Sequence, residues 1–144
     1  MKSLLSVLLL TLAFVATACS STASAPSVPQ EIVVIASDIA YDTGRIEASV
    51  GQPVELTLRN EGVLEHDFSI MHIPAEISEA DEEQEDGHDM SAMEEMPELH
   101  VSAMPGMSNA ISFTPAQASE YPYFCTVEGH QEAGMSGVLV VTAP

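Results

Sequence analysis

Positive charge is nearly missing from this chain. Lys and Arg together number three in 144 residues, against 22 Asp and Glu, for a formal net charge of −19. Lys2 lies in the leading segment, which leaves Arg45 and Arg59 as the cations of the remainder. So acidic a surface repels phosphate backbones, which excludes nucleic acid as a partner. An anionic bilayer surface would repel it too, so any hold on a membrane should rest on something other than charge. A protein partner that docks by charge should present a basic face.

Cysteine is scarce as well, with two residues, Cys19 and Cys125. The start reads Met1-Lys2, then an apolar run from Leu4 to Val15, then the small residues Ala16-Thr17-Ala18. This is the pattern of a signal peptide over residues 1–18, and the apolar run is too short to span a bilayer comfortably. A Cys directly after the small residues resembles the lipobox of bacterial lipoproteins, in which cleavage leaves Cys19 as a lipid-bearing N-terminus. The chain is therefore expected to be exported to the periplasm or another extracytoplasmic face and held to a membrane by lipid. Residues 19–30, rich in Ser, Ala and Pro, read as its flexible tether. With Cys19 committed to lipid, Cys125 has no partner for an internal disulfide. A solitary thiol in an oxidising compartment invites a functional explanation.

Helical periodicity of useful length is absent between the leader and residue 74. The period is two: in Pro53–Arg59, Val54, Leu56 and Leu58 share one face while Glu55, Thr57 and Arg59 share the other. Further strands are expected at 31–36, 46–50, 67–72, 109–113, 120–125 and 137–142, separated by Gly51-Gln52-Pro53, Asn60-Glu61-Gly62 and Thr114-Pro115. Short strands with Gly and Pro punctuation indicate an all-β antiparallel sandwich occupying residues 31–144. Residues 75–106 interrupt it. Half of the acidic residues fall between Glu76 and Glu98, mixed with Met90, Met93, Met96, Met104, Met107, His88 and His100, and the segment reads as a long exposed acidic, Met- and His-rich insert.

The chemistry is concentrated near the C-terminus, in Tyr123-Phe-Cys125-Thr-Val-Glu-Gly-His130-Gln-Glu-Ala-Gly-Met135. Thiolate and thioether are soft donors and imidazole accepts both common oxidation states of copper, so one Cys, two His and a distant Met define a one-electron copper site. The loop supplies three of these four groups. His66, in Leu64-Glu-His-Asp-Phe-Ser-Ile70, is the best candidate for the fourth. Gly129 and Gly134 let the loop turn tightly beside the two later donors. His72 lies too far along the same run to share the site and reads as a surface group.

The spacing Cys125-x4-His130-x4-Met135, together with Gly51-Gln-Pro-Val54 and Glu65-His-Asp-Phe-Ser-Ile70, resembles the cupredoxins, or type 1 blue copper proteins, and is most similar to the auracyanin and rusticyanin type. The resemblance covers residues 31–73 and 108–144. It implies a Greek-key β-sandwich with one type 1 copper near one end, His66, Cys125 and His130 as equatorial ligands and Met135 as a weak axial one. It also implies single-electron transfer rather than catalysis, with cytochromes or respiratory or photosynthetic complexes as partners. The His130 edge is expected to be the electron exit. Two positions depart from the family pattern: Glu128 stands where many relatives have Pro, and Asp67 stands where an Asn often supports the thiolate.

Other uses of the same donors are less well served. Paired His-x-His motifs, which multicopper oxidases need, are lacking, as is the second loop Cys of a binuclear copper site. Cysteine-nucleophile catalysis would leave Met135 unexplained. The acidic groups of the insert match no EF-hand spacing. The rival that remains is a copper carrier or store, using the same site together with the Met-rich insert.

Overall fold

The computed structural model describes residues 28–78 and 95–144. The leader, Cys19 and residues 79–94, with His88, Met90 and Met93, lie outside them. Among the described residues no helix is long and apolar enough to cross a membrane.

Among the described residues, ten strands form two five-stranded sheets. They are β1 (Gln30–Ser37), β2 (Ala40–Tyr41), β3 (Arg45–Ser49), β4 (Val54–Asn60), β5 (His66–Ile70), β6 (Ala75–Ser78), β7 (Leu99–Ala103), β8 (Ser108–Pro115), β9 (Ser119–Phe124) and β10 (Ser136–Thr142). One sheet runs β2-β1-β4-β8-β6 and the other β3-β10-β9-β5-β7. The described residues form an all-β sandwich of two sheets, as expected from the sequence.

The alternation in β4 holds: Val54, Leu56 and Leu58 are buried and Glu55 and Arg59 exposed. Inward residues of both sheets, among them Val34, Leu56, Phe68, Leu99, Phe113 and Leu139, make one core. Each such side chain contributes roughly 1.5–3 kcal/mol by leaving water. Tyr41, Phe68 and Tyr123 form an aromatic cluster inside it, with the Phe68 and Tyr123 rings stacked at 4.6 Å. Tyr123 donates its hydroxyl to the Thr43 carbonyl at 2.6 Å, so the polar end of a buried ring is satisfied.

The structure corrects the sequence reading in two places. The sandwich is mixed rather than antiparallel throughout, because β1 pairs with β4 and β10 with β3 in parallel. The boundaries 75–106 also make the insert too long: Ala75–Ser78 pairs with β8, and Leu99–Ala103 pairs with β5 with Leu99, Val101 and Ala103 buried. That inward series is only three residues long, and the neighbouring Glu and Met residues mask its alternation. The pairing matters for function, because it sets Ala103 opposite His66.

Candidate metal centre

His66 opens β5, a strand buried along its whole length. Its position is fixed by Asn60, the last inward residue of β4. Asn60 Nδ2 donates to the carbonyls of Leu64 (2.7 Å) and Ala103 (2.8 Å), and its Oδ1 accepts from the Gly62 amide at 2.9 Å. One amide side chain therefore ties the loop before His66 to both sheets. A Cβ at Gly62 would sit 3.2 Å from His66 Nε2 and 2.9 Å from Asp38 Oδ1, so a larger residue there would press on the imidazole.

Cys125 follows directly on β9, and the chain then makes a compact loop back to β10. The loop is closed by its own backbone, with His130 N donating to Val127 O (3.0 Å), Met135 N to His130 O (3.0 Å) and Cys125 N to Met135 O (3.2 Å). Gly129 and Gly134 take φ values of 83° and 100°, the left-handed region that glycine enters without strain. Loop closure brings Met135 back beside Cys125, and both are fully buried.

His66, Cys125 and His130, spread over 65 positions of sequence, converge so that their ligand atoms all lie within 4.8 Å of one another. The Cys125 Sγ is 3.4 Å from His130 Nδ1, and the two imidazole centroids are 5.0 Å apart. Both ring nitrogens of His66 are buried without a hydrogen-bond partner. Buried polar atoms left so are uncommon and unfavourable, and a metal ion between the two imidazoles and the thiol would take up the lone pair of one of them. The donor set, one sulfur and two nitrogens with a buried thioether in the same loop, suits a soft or borderline ion.

Electrostatics agree with that use. Burial, aided by the neighbouring His130, holds the His66 imidazolium below its usual range, so the ring is neutral with a lone pair to offer. Burial, and next the Asp67 carboxylate, push the Cys125 thiol up to about 12. Asp67 is fully buried. Its carboxylate accepts from the Thr126 amide (3.0 and 2.9 Å), the Thr126 hydroxyl (2.7 Å) and the Ser69 hydroxyl (2.8 Å), and Oδ2 lies 3.7 Å from the Cys125 sulfur. Ser69 Oγ in turn lies 2.8 Å from His100 Nδ1. Tyr41 donates its hydroxyl to the Asp67 carbonyl.

The four residues picked from sequence thus lie at one end of the sandwich. His130 is 5% exposed, so the ligand expected to reach the surface from the loop does so only through a narrow edge. His72 is apart from the site and exposed, 3.7 Å from Glu95 and 3.8 Å from Glu98. Met96, Met104 and Met107 are exposed. Asn60 escaped the sequence reading, although a polar residue continuing the inward series Val54, Leu56, Leu58 is a signal that could have found it. The Ser69–His100 link depends on a strand pairing that the sequence does not display.

A family model described as the cupredoxin-like domain matches residues 8–141. Among characterised proteins, the chain is 28% identical to a copper-resistant cuproprotein, CopI, of Pseudomonas aeruginosa, over 83% of this chain and 80% of that protein. Among solved structures it superposes on reduced auracyanin from Roseiflexus castenholzii with a TM-score of 0.59 at 20% identity, covering 81% of this chain and 99% of that one. A multicopper oxidase from Campylobacter jejuni gives 0.57 at 14% identity, covering 84% of this chain but 31% of that one.

Proposed function

The chain belongs to the cupredoxin-like domain family, and from that premise we propose that it is a type 1 copper protein carrying single electrons between redox partners at the outer face of a membrane. Copper is the cofactor to which the family and the His–Cys–His cluster point. The observation that carries the reading is the convergence of His66, Cys125 and His130, buried and with the His66 nitrogens unpartnered, beside a buried Met135.

Bound copper supplies a one-electron couple; the protein's part is to hold the donors still. His66, Cys125 and His130 would be the strong ligands and Met135 the weak axial one. His66 is fixed by the Asn60 brace, and the other three by a loop whose turns are closed by its own backbone. A frame so constrained changes little when the metal's charge changes. Burial of all four side chains keeps water off the site. The thin exposed edge of His130 is the natural electron port, and the excess of carboxylates over cations favours a partner with a basic docking face.

Export and lipid attachment through Cys19 would confine this shuttle to a membrane surface. Catalysis is not part of the proposal. The likeness to a multicopper oxidase extends to the fold, and among the described residues one metal-type cluster is found. A second reading, a periplasmic copper carrier or store, draws support from the copper-resistance name of the CopI relative and from the exposed Met96, Met104 and Met107.

Visible spectra and copper counts decide between them. The shuttle should bind one copper per chain, with an intense thiolate-to-copper band that Cys125→Ser abolishes. Several equivalents of Cu(I) without that band would favour the carrier.

A further inference from the structure

Met104-Pro105-Gly106-Met107 joins β7 of one sheet to β8 of the other. Met107 N donates to Met104 O at 2.9 Å and Gly106 takes a φ of 76°, so Pro and Gly occupy the central positions of a tight type II turn. The Asn60 backbone clamps this turn, accepting from Gly106 N at 3.0 Å and donating to Met107 O at 2.9 Å. The Asn60 side chain holds the carbonyls of Leu64 and Ala103, and Ala103 stands opposite His66. A fixed turn therefore sits at the metal end of the sandwich, starting one residue past the cross-strand partner of His66.

Neither methionine is explained by the turn or by the core. Gly, Pro, Asn, Asp and Ser suit turns for backbone reasons that Met does not share. The two side chains are 48% and 44% exposed, so they gain little by leaving water. What the turn does supply is spacing: its first and fourth Cα atoms lie less than about 7 Å apart, close enough for two flexible thioethers to meet on one ion. Thioether donors select Cu(I) over harder ions, and a chain with 22 carboxylates against three cations concentrates positive ions at its surface.

We propose that Met104 and Met107 form a surface site for Cu(I), where the ion is held before it enters the buried centre. The surface binding stands by itself; the delivery rests on the copper reading above. Delivery is a ligand exchange without change of oxidation state: the copper–sulfur contacts of the turn break, bonds to the buried donors form, and the Cys125 thiol releases its proton to solvent. An ion already held beside the centre acts at an effective concentration far above that in solution, so the turn speeds loading and leaves the loaded centre unchanged. An apolar docking patch is the rival use of the same side chains, since Val63 and Leu64, on the loop that Asn60 holds, are also exposed. Leucine preserves that use and removes the sulfur.

The test uses the full chain without oxygen, as wild type, the double variant Met104→Leu with Met107→Leu, and Met96→Leu. Met96 is an equally exposed thioether ahead of the far end of β7, where Leu99 pairs with Ile70. Bound Cu(I) is counted by competition with a Cu(I) chelator, and loading of the buried centre is timed by oxidising aliquots and reading the thiolate band. Wild type should hold one more Cu(I) than the double variant and load at least about tenfold faster, with the same final band and the same thermal unfolding. Met96→Leu should match wild type in count and rate. Equal counts or equal rates in wild type and the double variant overturn the proposal, as does the same loss in Met96→Leu, which would mark thioethers acting anywhere on the surface. If the double variant does not fold, the two single variants are held to the same expectation. Absence of the thiolate band in wild type, with the extra Cu(I) still lost in the double variant, would instead overturn the copper reading of the buried centre and not the surface site.

Discussion

Asn60 Nδ2 lies 2.8 Å from the carbonyl oxygen of Ala103, 43 residues away, and this bond joins the two sheets directly beneath His66. Asn60 is 1% exposed, so its polar atoms have no water to fall back on. Asn60→Ala leaves the Leu64 and Ala103 carbonyls without this donor and should destabilise the apoprotein by about 1–3 kcal/mol. It should also loosen His66, broadening the copper band. Thermal unfolding and the visible spectrum together check this. A variant that unfolds earlier but loads with an unaltered band would show that the brace serves the fold and not the site.

Gly137 faces the Tyr123 ring so closely that a Cβ would lie 2.3 Å from its Cζ and 2.8 Å from the Gly44 carbonyl. Gly137→Ala is therefore expected to destabilise by about 1–3 kcal/mol or more, since a rigid ring in a packed core cannot withdraw. Tyr123→Phe, which loses only the bond to Thr43, should cost about 0.5–1.5 kcal/mol. Denaturant unfolding that ranked the two in the opposite order would contradict this packing.

Much of this arrangement was legible in the sequence because the loop ligands are local. Cys125, His130 and Met135 sit at fixed offsets in one turn, so their meeting depends on a few backbone bonds. His66 required long-range pairing, yet it stands out as one of three polar residues, Glu65 to Asp67, where a buried strand begins. Strand β7 was hidden because its inward residues, Leu99, Val101 and Ala103, are only three and adjoin the Glu- and Met-rich stretch, and only its pairing with β5 reveals it. The depth of His130 was equally out of reach, since solvent exposure in a loop is decided by what packs over it.

The raised thiol predicts a proton cost for metal loading. With Cys125 pushed up to about 12 by burial and Asp67, the apoprotein carries a neutral thiol at pH 6–8, so copper binding should release about one proton and gain about tenfold in apparent affinity per pH unit. The sign for stability follows. The unfolded chain's thiol ionises near pH 8.5 and the folded one only about 12, so apoprotein stability falls across that window as pH rises. Calorimetry in buffers of different ionisation enthalpy measures the proton; no release would mean a thiolate already present.

Met135→Leu replaces a buried thioether by a side chain of similar volume. The apoprotein should lose less than about 1.5 kcal/mol, while the loaded site, deprived of its axial sulfur, should shift to a higher potential with the thiolate band retained. An unmoved potential would remove Met135 from the ligand set.

Negative charge should govern encounters. A cationic one-electron oxidant should react faster than an anionic one of equal driving force, and the gap should narrow between about 0.01 and 0.15 M salt as screening sets in. Stopped-flow rates insensitive to salt would mean that the port is not within reach of the acidic surface.

X-ray absorption at the copper edge of the loaded full-length protein tests the centre of the account most directly. The predicted result is a shell of one short copper–sulfur and two copper–nitrogen contacts, with the sulfur lost in Cys125→Ser and one nitrogen lost in His66→Ala. A shell of oxygen and nitrogen alone in the wild type, or one indifferent to His66, would contradict it.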